Sequence, residues 1–196
     1  MNDLIARYPS LYSCKDDISL AVDLIVTTYK NGGKVLLCGN GGSAADCDHI
    51  AGELLKGFLS KRKVDDENIP EELRSKLQGS LGAISLPSLT AALTASLNDL
   101  DPAIAYAQLL HGLGKCGDLL IAISTSGNAE NVCNAAILAR AKGLKVLSLT
   151  GETGGKLATL ADTAIKVPES ETYKIQELHL PTYHYICAEA ERILFN

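Results

Sequence analysis

The amino-acid sequence predicts an α/β fold, a three-layer sandwich in which a five-stranded parallel sheet is flanked by helices. Three observations predict it. Five short apolar runs, at 34–38, 83–86, 119–123, 146–149 and 164–167, alternate with stretches of helical periodicity. The runs are continuously apolar rather than alternating, as expected of strands covered on both faces. The most polar small-residue turns follow three of them: GNGGS at 39–43, STSGN at 124–128 and LTG at 149–151. In open parallel sheets, ligands bind beyond the carboxyl ends of the strands.

Taken in order, positions 2–30 form one amphipathic helix, or two in sequence, stopped by Asn31-Gly32-Gly33. A strand at 34–38 runs into the first glycine turn. A helix follows from 43 to about 59, with Ser43 as its N-cap. Positions 60–80, SKRKVDDENIPEELRSKLQGS, are highly charged and interrupted by Pro70, which predicts an exposed loop and a short helix. After the strand at 83–86 come short helices at 89–96 and 102–113. The strand at 119–123 leads through the serine turn into a helix over 129–142. Two more strands and a helix over the last 20 residues complete a single domain of 196 residues.

Composition excludes several classes. No apolar run reaches the roughly 18 residues of a membrane span. The N-terminus MNDLIARYPS lacks a basic segment leading into an apolar one, so a cytoplasmic protein is expected. The six cysteines form no C-x-x-C pair and are expected to be free thiols. A net charge of −5 gives no general attraction to nucleic acid or an anionic membrane, so an anionic ligand must be held locally.

GNGGSA matches the dinucleotide pattern G-x-G-x-x-A, but the second strand ends in Leu86-Pro87 with no acid to hold a ribose. Nor is there a G-K-[ST]. No organic cofactor is therefore expected. Ser124, Thr125 and Ser126 offer three hydroxyls before a helix start, a place where backbone N–H groups and the helix dipole favour a small anion. His49 and Glu53 are four apart, so they share one helix face about 6 Å apart and can share one metal ion. Gln176 and His184 are eight apart, a rise of about 12 Å on a continuous helix. Either that helix starts near Gln176 with Pro181 in its first turns, or the two act in different subunits.

Four stretches, GNGGSAADCDHIAGEL, ISTSGNAENV, SLTGETGG and IQELHLPTYHYICAEAE, occur in the order and at the spacings of the phosphoheptose isomerases. The chain resembles these sugar isomerase (SIS) domain proteins from about residue 30 onward, outside the charged insert. The resemblance implies an aldose–ketose isomerase acting on sedoheptulose 7-phosphate, and a homotetramer with active sites at subunit contacts. It also implies one Zn2+ or similar ion per subunit, held by His49, Glu53, Gln176 and His184. Glu53 and His184 would be the acid/base pair. Ser43 and the 124–126 turn would bind phosphate, with Asn40, Gly41, Gly42 and Asn128 beside them. Asn98, Asp99 and Gln176 would meet the sugar. Three positions depart from the family pattern: Ala129 replaces a frequent Ser, Lys56-Gly57-Phe58 replaces a segment with an Arg, and Tyr173 replaces a frequent Asp. The same resemblance admits an isomerase for another sugar phosphate. It also admits a non-catalytic SIS module that binds a sugar phosphate or a replication initiator; retention of all four ligand positions favours an enzyme. Apolar residues in excess of one helix face at 2–30 suggest burial against another subunit.

Overall fold

The computed structural model describes residues 1–195. Its strands are β1 (Val35–Gly39), β2 (Ala83–Ser85), β3 (Leu119–Ile123), β4 (Lys145–Thr150) and β5 (Thr163–Lys166). They lie in the order β2-β1-β3-β4-β5, and every neighbouring pair is parallel. The strand order reverses between β1 and β3, where Gly39 pairs with Ile123. The glycine and serine turns therefore leave the sheet side by side at its topological switch point.

Successive residues of each strand point to opposite faces. Val35, Leu37, Leu119, Ile121, Ile123, Leu147, Leu149 and Ile165 join one core cluster. It is covered by α1 (Asn2–Arg7), α2 (Lys15–Lys30), α3 (Gly42–Leu55) and α9 (Thr172–Phe195). Leu36, Cys38, Leu120, Ala122 and Val146 join the other. It is covered by α6 (Ala105–Leu113), α7 (Glu130–Ala141) and α8 (Gly155–Leu160), with α5 (Thr90–Asp99) packed on α6. These are the three predicted layers. The single short helix of the insert, α4, is Glu71–Arg74.

The N-terminal stretch is broken by Tyr8-Pro9 into α1, a 3-10 turn at Pro9–Cys14, and α2. A residue before proline is held out of the α region, and Tyr8 has φ −132° and ψ 73°. Most of its apolar excess is consumed within the chain: Leu4, Leu11, Ile18, Val22, Ile25 and Val26 are buried, whereas Leu20 is 54% exposed. α8 was not expected from the sequence, because it opens on a glycine pair of low helix propensity. α9 begins at Thr172 rather than near Gln176, so Pro181 lies in its third turn. Pro181 cannot donate to the carbonyl four residues back. Packing of Ile175, His179, Tyr183, Ile186 and Cys187 into the core carries the helix across that gap.

Candidate active site

Gly41 precedes α3 with φ +57°, a left-handed conformation that glycine adopts without steric cost. A Cβ on Gly42 would lie 2.5 Å from Nε2 of Gln176, so this glycine is required by the close approach of α9. The helix thus starts one residue earlier than expected, capped by Gly41 without a side-chain hydrogen bond. Ser43 is not the N-cap. It is buried in the first turn, and its N–H donates to the Asn40 carbonyl at 3.0 Å. Asn40 exchanges two hydrogen bonds with Asn131 of α7, at 2.9 and 3.0 Å. These bonds tie the glycine turn to the helix that follows the serine turn.

In the serine turn, Ser124 is buried and its N–H donates to Leu149 at 3.0 Å. The Ser126 hydroxyl accepts from the Asn128 N–H at 3.1 Å, and the Asn128 carboxamide oxygen accepts from the Lys156 N–H at 3.0 Å. The Thr125 carbonyl accepts from the Gly151 N–H at 3.0 Å. All three polar turns of the sequence therefore meet. Ala129 is the N-cap of α7 and makes no side-chain cap, so this position offers no hydroxyl to the rim of the turn. Tyr173, another of the three positions outside the resemblance, is exposed on α9 with the Lys174 ammonium 5.8 Å from its ring.

Two turns further along α3, the metal-type residues converge. His49 Nε2 lies 3.2 Å from His184 Nε2 and 3.3 Å from Glu53 Oε1. One ligand atom from each of the three residues lies within 4.8 Å of the others. Zinc bonds of about 2.0–2.1 Å in tetrahedral geometry put adjacent ligand atoms about 3.3 Å apart, so the two short separations fit one ion. The second oxygen of Glu53 is buried without a hydrogen bond among the described residues; the exposed Lys56 ammonium forms an ion pair with it at 3.7 Å, beyond hydrogen-bond distance. A buried carboxylate oxygen without a donor is costly, and a cation would relieve it. Burial, and then the facing His49, hold His184 below its ordinary pKa, which favours the neutral imidazole that binds metals.

Tyr183 stands behind the pair. Its hydroxyl is 3.0 Å from His49 Nδ1 and 3.2 Å from Asp46 Oδ1. Burial, then the Asp46 carboxylate, raise the phenol well above its ordinary pKa, so it keeps its proton. His179, on the neighbouring turn of α9, is fully buried with Nε2 3.3 Å from the Thr150 carbonyl. Burial pushes it down to about 4, so it packs as a neutral core residue.

The remaining candidates lie apart from this cluster. Gln176 faces Gly42, about 10 Å along α3 from His49. It is separated from His184 by the full 12 Å rise anticipated for a continuous helix. Asn98 donates to Asp99 at 2.7 Å at the exposed end of α5. Neither hydrogen-bonds to the glycine turn, the serine turn or the histidine cluster among the described residues. Asp46, Tyr183 and Asn131 were not anticipated. Asp46 lies three residues before His49, which places it on the same helix face; the other two carry no local signal.

Residues 11–151 match the family model described as the SIS domain. A phosphoheptose isomerase of Helicobacter pylori (strain P12) is 41% identical over 183 residues, covering 93% of this chain and 87% of that protein. One from Aneurinibacillus thermoaerophilus is 42% identical, covering 87% and 78%. Among solved structures, the phosphoheptose isomerase of Neisseria gonorrhoeae superposes with a TM-score of 0.80 at 32% identity, covering 97% of this chain and 94% of that one.

Proposed function

This chain belongs to the phosphoheptose isomerase family of SIS-domain proteins, and on that premise we propose that it interconverts sedoheptulose 7-phosphate and D-glycero-D-manno-heptose 7-phosphate with the help of one divalent ion, most simply zinc. The observation that carries the proposal is the His49–Glu53–His184 cluster, set about 9 Å along α3 from Ser43. That separation suits a sugar whose phosphate lies at one end of an extended chain and whose reacting carbons lie at the other.

In this reading the phosphate sits at the switch point. The hydroxyls of Ser124, Thr125, Ser126 and Ser43, together with Asn40, Gly41, Gly42 and Asn128, surround it. The helix N-terminus there adds about 0.3–1 kcal/mol for an anion. At the other end, Glu53 removes the proton on C2 of the aldose and returns it to C1. His184 moves the proton between the O1 and O2 oxygens. An ion held by His49, Glu53 and His184, with Gln176 as the fourth ligand by family correspondence, would supply positive charge for the oxyanion that develops. Gln176 would have to extend from its place against Gly42 to join them.

The proposed assembly is a homotetramer. Leu97, Leu100 and Ile104 are 43%, 42% and 38% exposed on either side of Asn98 and Asp99. A subunit covering this surface would bring Asn98 and Asp99 to a neighbouring site, which fits their having no hydrogen bond to the cluster among the described residues of their own chain. Light scattering at micromolar concentration tests it, and a monomer refutes it. No described helix is long and apolar enough to cross a membrane.

The activity is tested by following aldose formation from sedoheptulose 7-phosphate, with and without added zinc. Turnover that is abolished by chelation and restored by zinc supports the reading. Absence of turnover in zinc-loaded protein overturns it.

A further inference from the structure

The environment of Tyr183 specifies which nitrogen of His49 carries the proton. The phenol has a single proton and can donate once. Two groups lie within reach, Asp46 Oδ1 at 3.2 Å and His49 Nδ1 at 3.0 Å. An ionised carboxylate only accepts. The other oxygen of Asp46, Oδ2, is buried with no hydrogen-bond partner among the described residues. Donation by Tyr183 to His49 would thus leave both oxygens of a half-buried carboxylate without a hydrogen bond among the described residues, which is costly where water is partly excluded. Donation to Asp46 supplies one hydrogen bond, at Oδ1. The phenol oxygen is then free to accept, and the group facing it is Nδ1 of His49. A neutral imidazole with its proton on Nδ1 carries its lone pair on Nε2. Nε2 is the atom that faces Glu53 and His184. The Tyr183 ring is itself fixed, meeting His49 and His184 edge-on with centroids 5.4 and 5.1 Å away.

We propose that Asp46 and Tyr183 are positioning residues that hold His49 in its Nδ1–H form, with the Nε2 lone pair aimed at the space shared with Glu53 and His184. The consequence for metal affinity rests on the metal-dependent reading above; the tautomer rests on the Tyr183 and Asp46 contacts, with Glu53 Oε1, 3.3 Å from Nε2, as the competing acceptor. Outer hydrogen bonds of this kind typically contribute 10–100-fold to metal affinity.

The test uses the full-length protein labelled with 15N at its four histidines. After metal removal, the ring-nitrogen shifts of His49, assigned by their loss in His49→Ala, report its tautomer. Zinc affinity is then measured by competition with a chelating dye. The wild type is expected to show His49 protonated on Nδ1. Tyr183→Phe and Asp46→Ala are expected to move His49 toward the Nε2–H form and to weaken zinc binding 10–100-fold, with one site retained and a folded spectrum. His49 protonated on Nε2 in the wild type overturns the proposal, as does a tautomer unchanged in both variants. Zinc affinity within twofold of wild type in both variants overturns the role toward a metal. A wild type with the Nδ1–H form and no zinc binding upholds the positioning and refutes the metal-dependent reading alone.

Discussion

Replacing Glu191 by Gln is expected to destabilise the fold by about 3–5 kcal/mol, although it changes one atom of a side chain outside the candidate ligand set. Glu191 and Arg62 are each only 2% exposed. Glu191 Oε1 accepts from the Phe58 N–H and from Arg62 Nε, both at 2.7 Å; Oε2 accepts from the Leu59 and Ser60 N–H groups at 2.8 and 3.1 Å. A carboxamide has one acceptor oxygen, so whichever way it lies its NH2 confronts two of these donors. Each buried donor left without an acceptor costs about 1–3 kcal/mol, which gives about 2–6 kcal/mol. Breaking a buried ion pair from one side typically costs 3–5 kcal/mol. At about 2–4 °C per kcal/mol for a chain of this size, the thermal midpoint falls by roughly 6–20 °C. The acid side gives an independent check. Burial alone would raise the Glu191 pKa, but the Phe58 N–H and then Arg62 outweigh it and hold the group below its ordinary 4.5. Its contribution is therefore present above about pH 4.5 and is lost as pH falls through the lower folded value. The assay is urea unfolding of the wild type, Glu191→Gln, Arg62→Met and the double variant at pH 7 and at pH 4. The double variant should recover much of the loss, because it leaves no buried charge unpaired. A single-variant effect below 1 kcal/mol, or strictly additive singles, would refute the reasoning.

The chemistry gives three further expectations. Glu53→Gln should slow exchange of the substrate's C1 or C2 hydrogen with solvent by about 10²–10⁴-fold, with metal content checked on the same sample; exchange at the wild-type rate with metal present would pass the base role to His184. Replacing both Ser124 and Ser126 by Ala should raise KM for the phosphorylated sugar strongly with a smaller effect on kcat, and an unchanged KM would place the phosphate elsewhere. His49→Ala should lose bound zinc in elemental analysis of purified protein, and equal zinc in variant and wild type would rule out His49 as a ligand.

The strands were legible because each is a short continuous apolar run, and burial on both faces demands that pattern. All five lie within one residue or so of their predicted positions. Strand order followed less directly. The glycine and serine turns are 85 residues apart in sequence, and only the β1–β3 pairing makes them neighbours. The His49–Glu53 pair was legible from helix periodicity, because both partners lie on one element. The Asp46–Tyr183 bond was not, because it spans 137 residues and depends on α3 and α9 running side by side. Arg62 was misplaced for a related reason. Within SKRKVDDEN it is one cation among several in a solvated segment. Its burial is set by Glu191, 129 residues away, and by the α3 carbonyls of Leu54 and Glu53, to which its guanidinium donates at 2.5 and 2.9 Å.

That clamp also gives a physical reason for the glycine at position 57. A Cβ on Gly57 would lie 2.1 Å from the Ser60 carbonyl oxygen and 2.6 Å from Gln78 Oε1. The Gly57 N–H donates to that same Gln78 oxygen at 2.7 Å. No side chain fits there unless the turn opens, and opening it would move the Phe58, Leu59 and Ser60 N–H groups away from Glu191. An Arg at this position and the Arg62–Glu191 clamp are therefore mutually exclusive in this conformation. The charged insert and the glycine at position 57 are two aspects of one structural arrangement: the insert supplies Gln78 and Arg62, and the tight turn they stabilise has room only for glycine. The turn leaves the Phe58 ring 5.5 Å from that of His184, so an apolar surface borders the candidate base pair on this side. A guanidinium there would favour the hydroxyls of a sugar; an aromatic ring favours its C–H faces. Discrimination among sugar phosphates by this chain should then respond to Phe58→Ala more than to changes at exposed Lys56, and equal effects of the two on the ratio of kcat/KM values for a heptose and a hexose phosphate would show that Phe58 does not border the sugar.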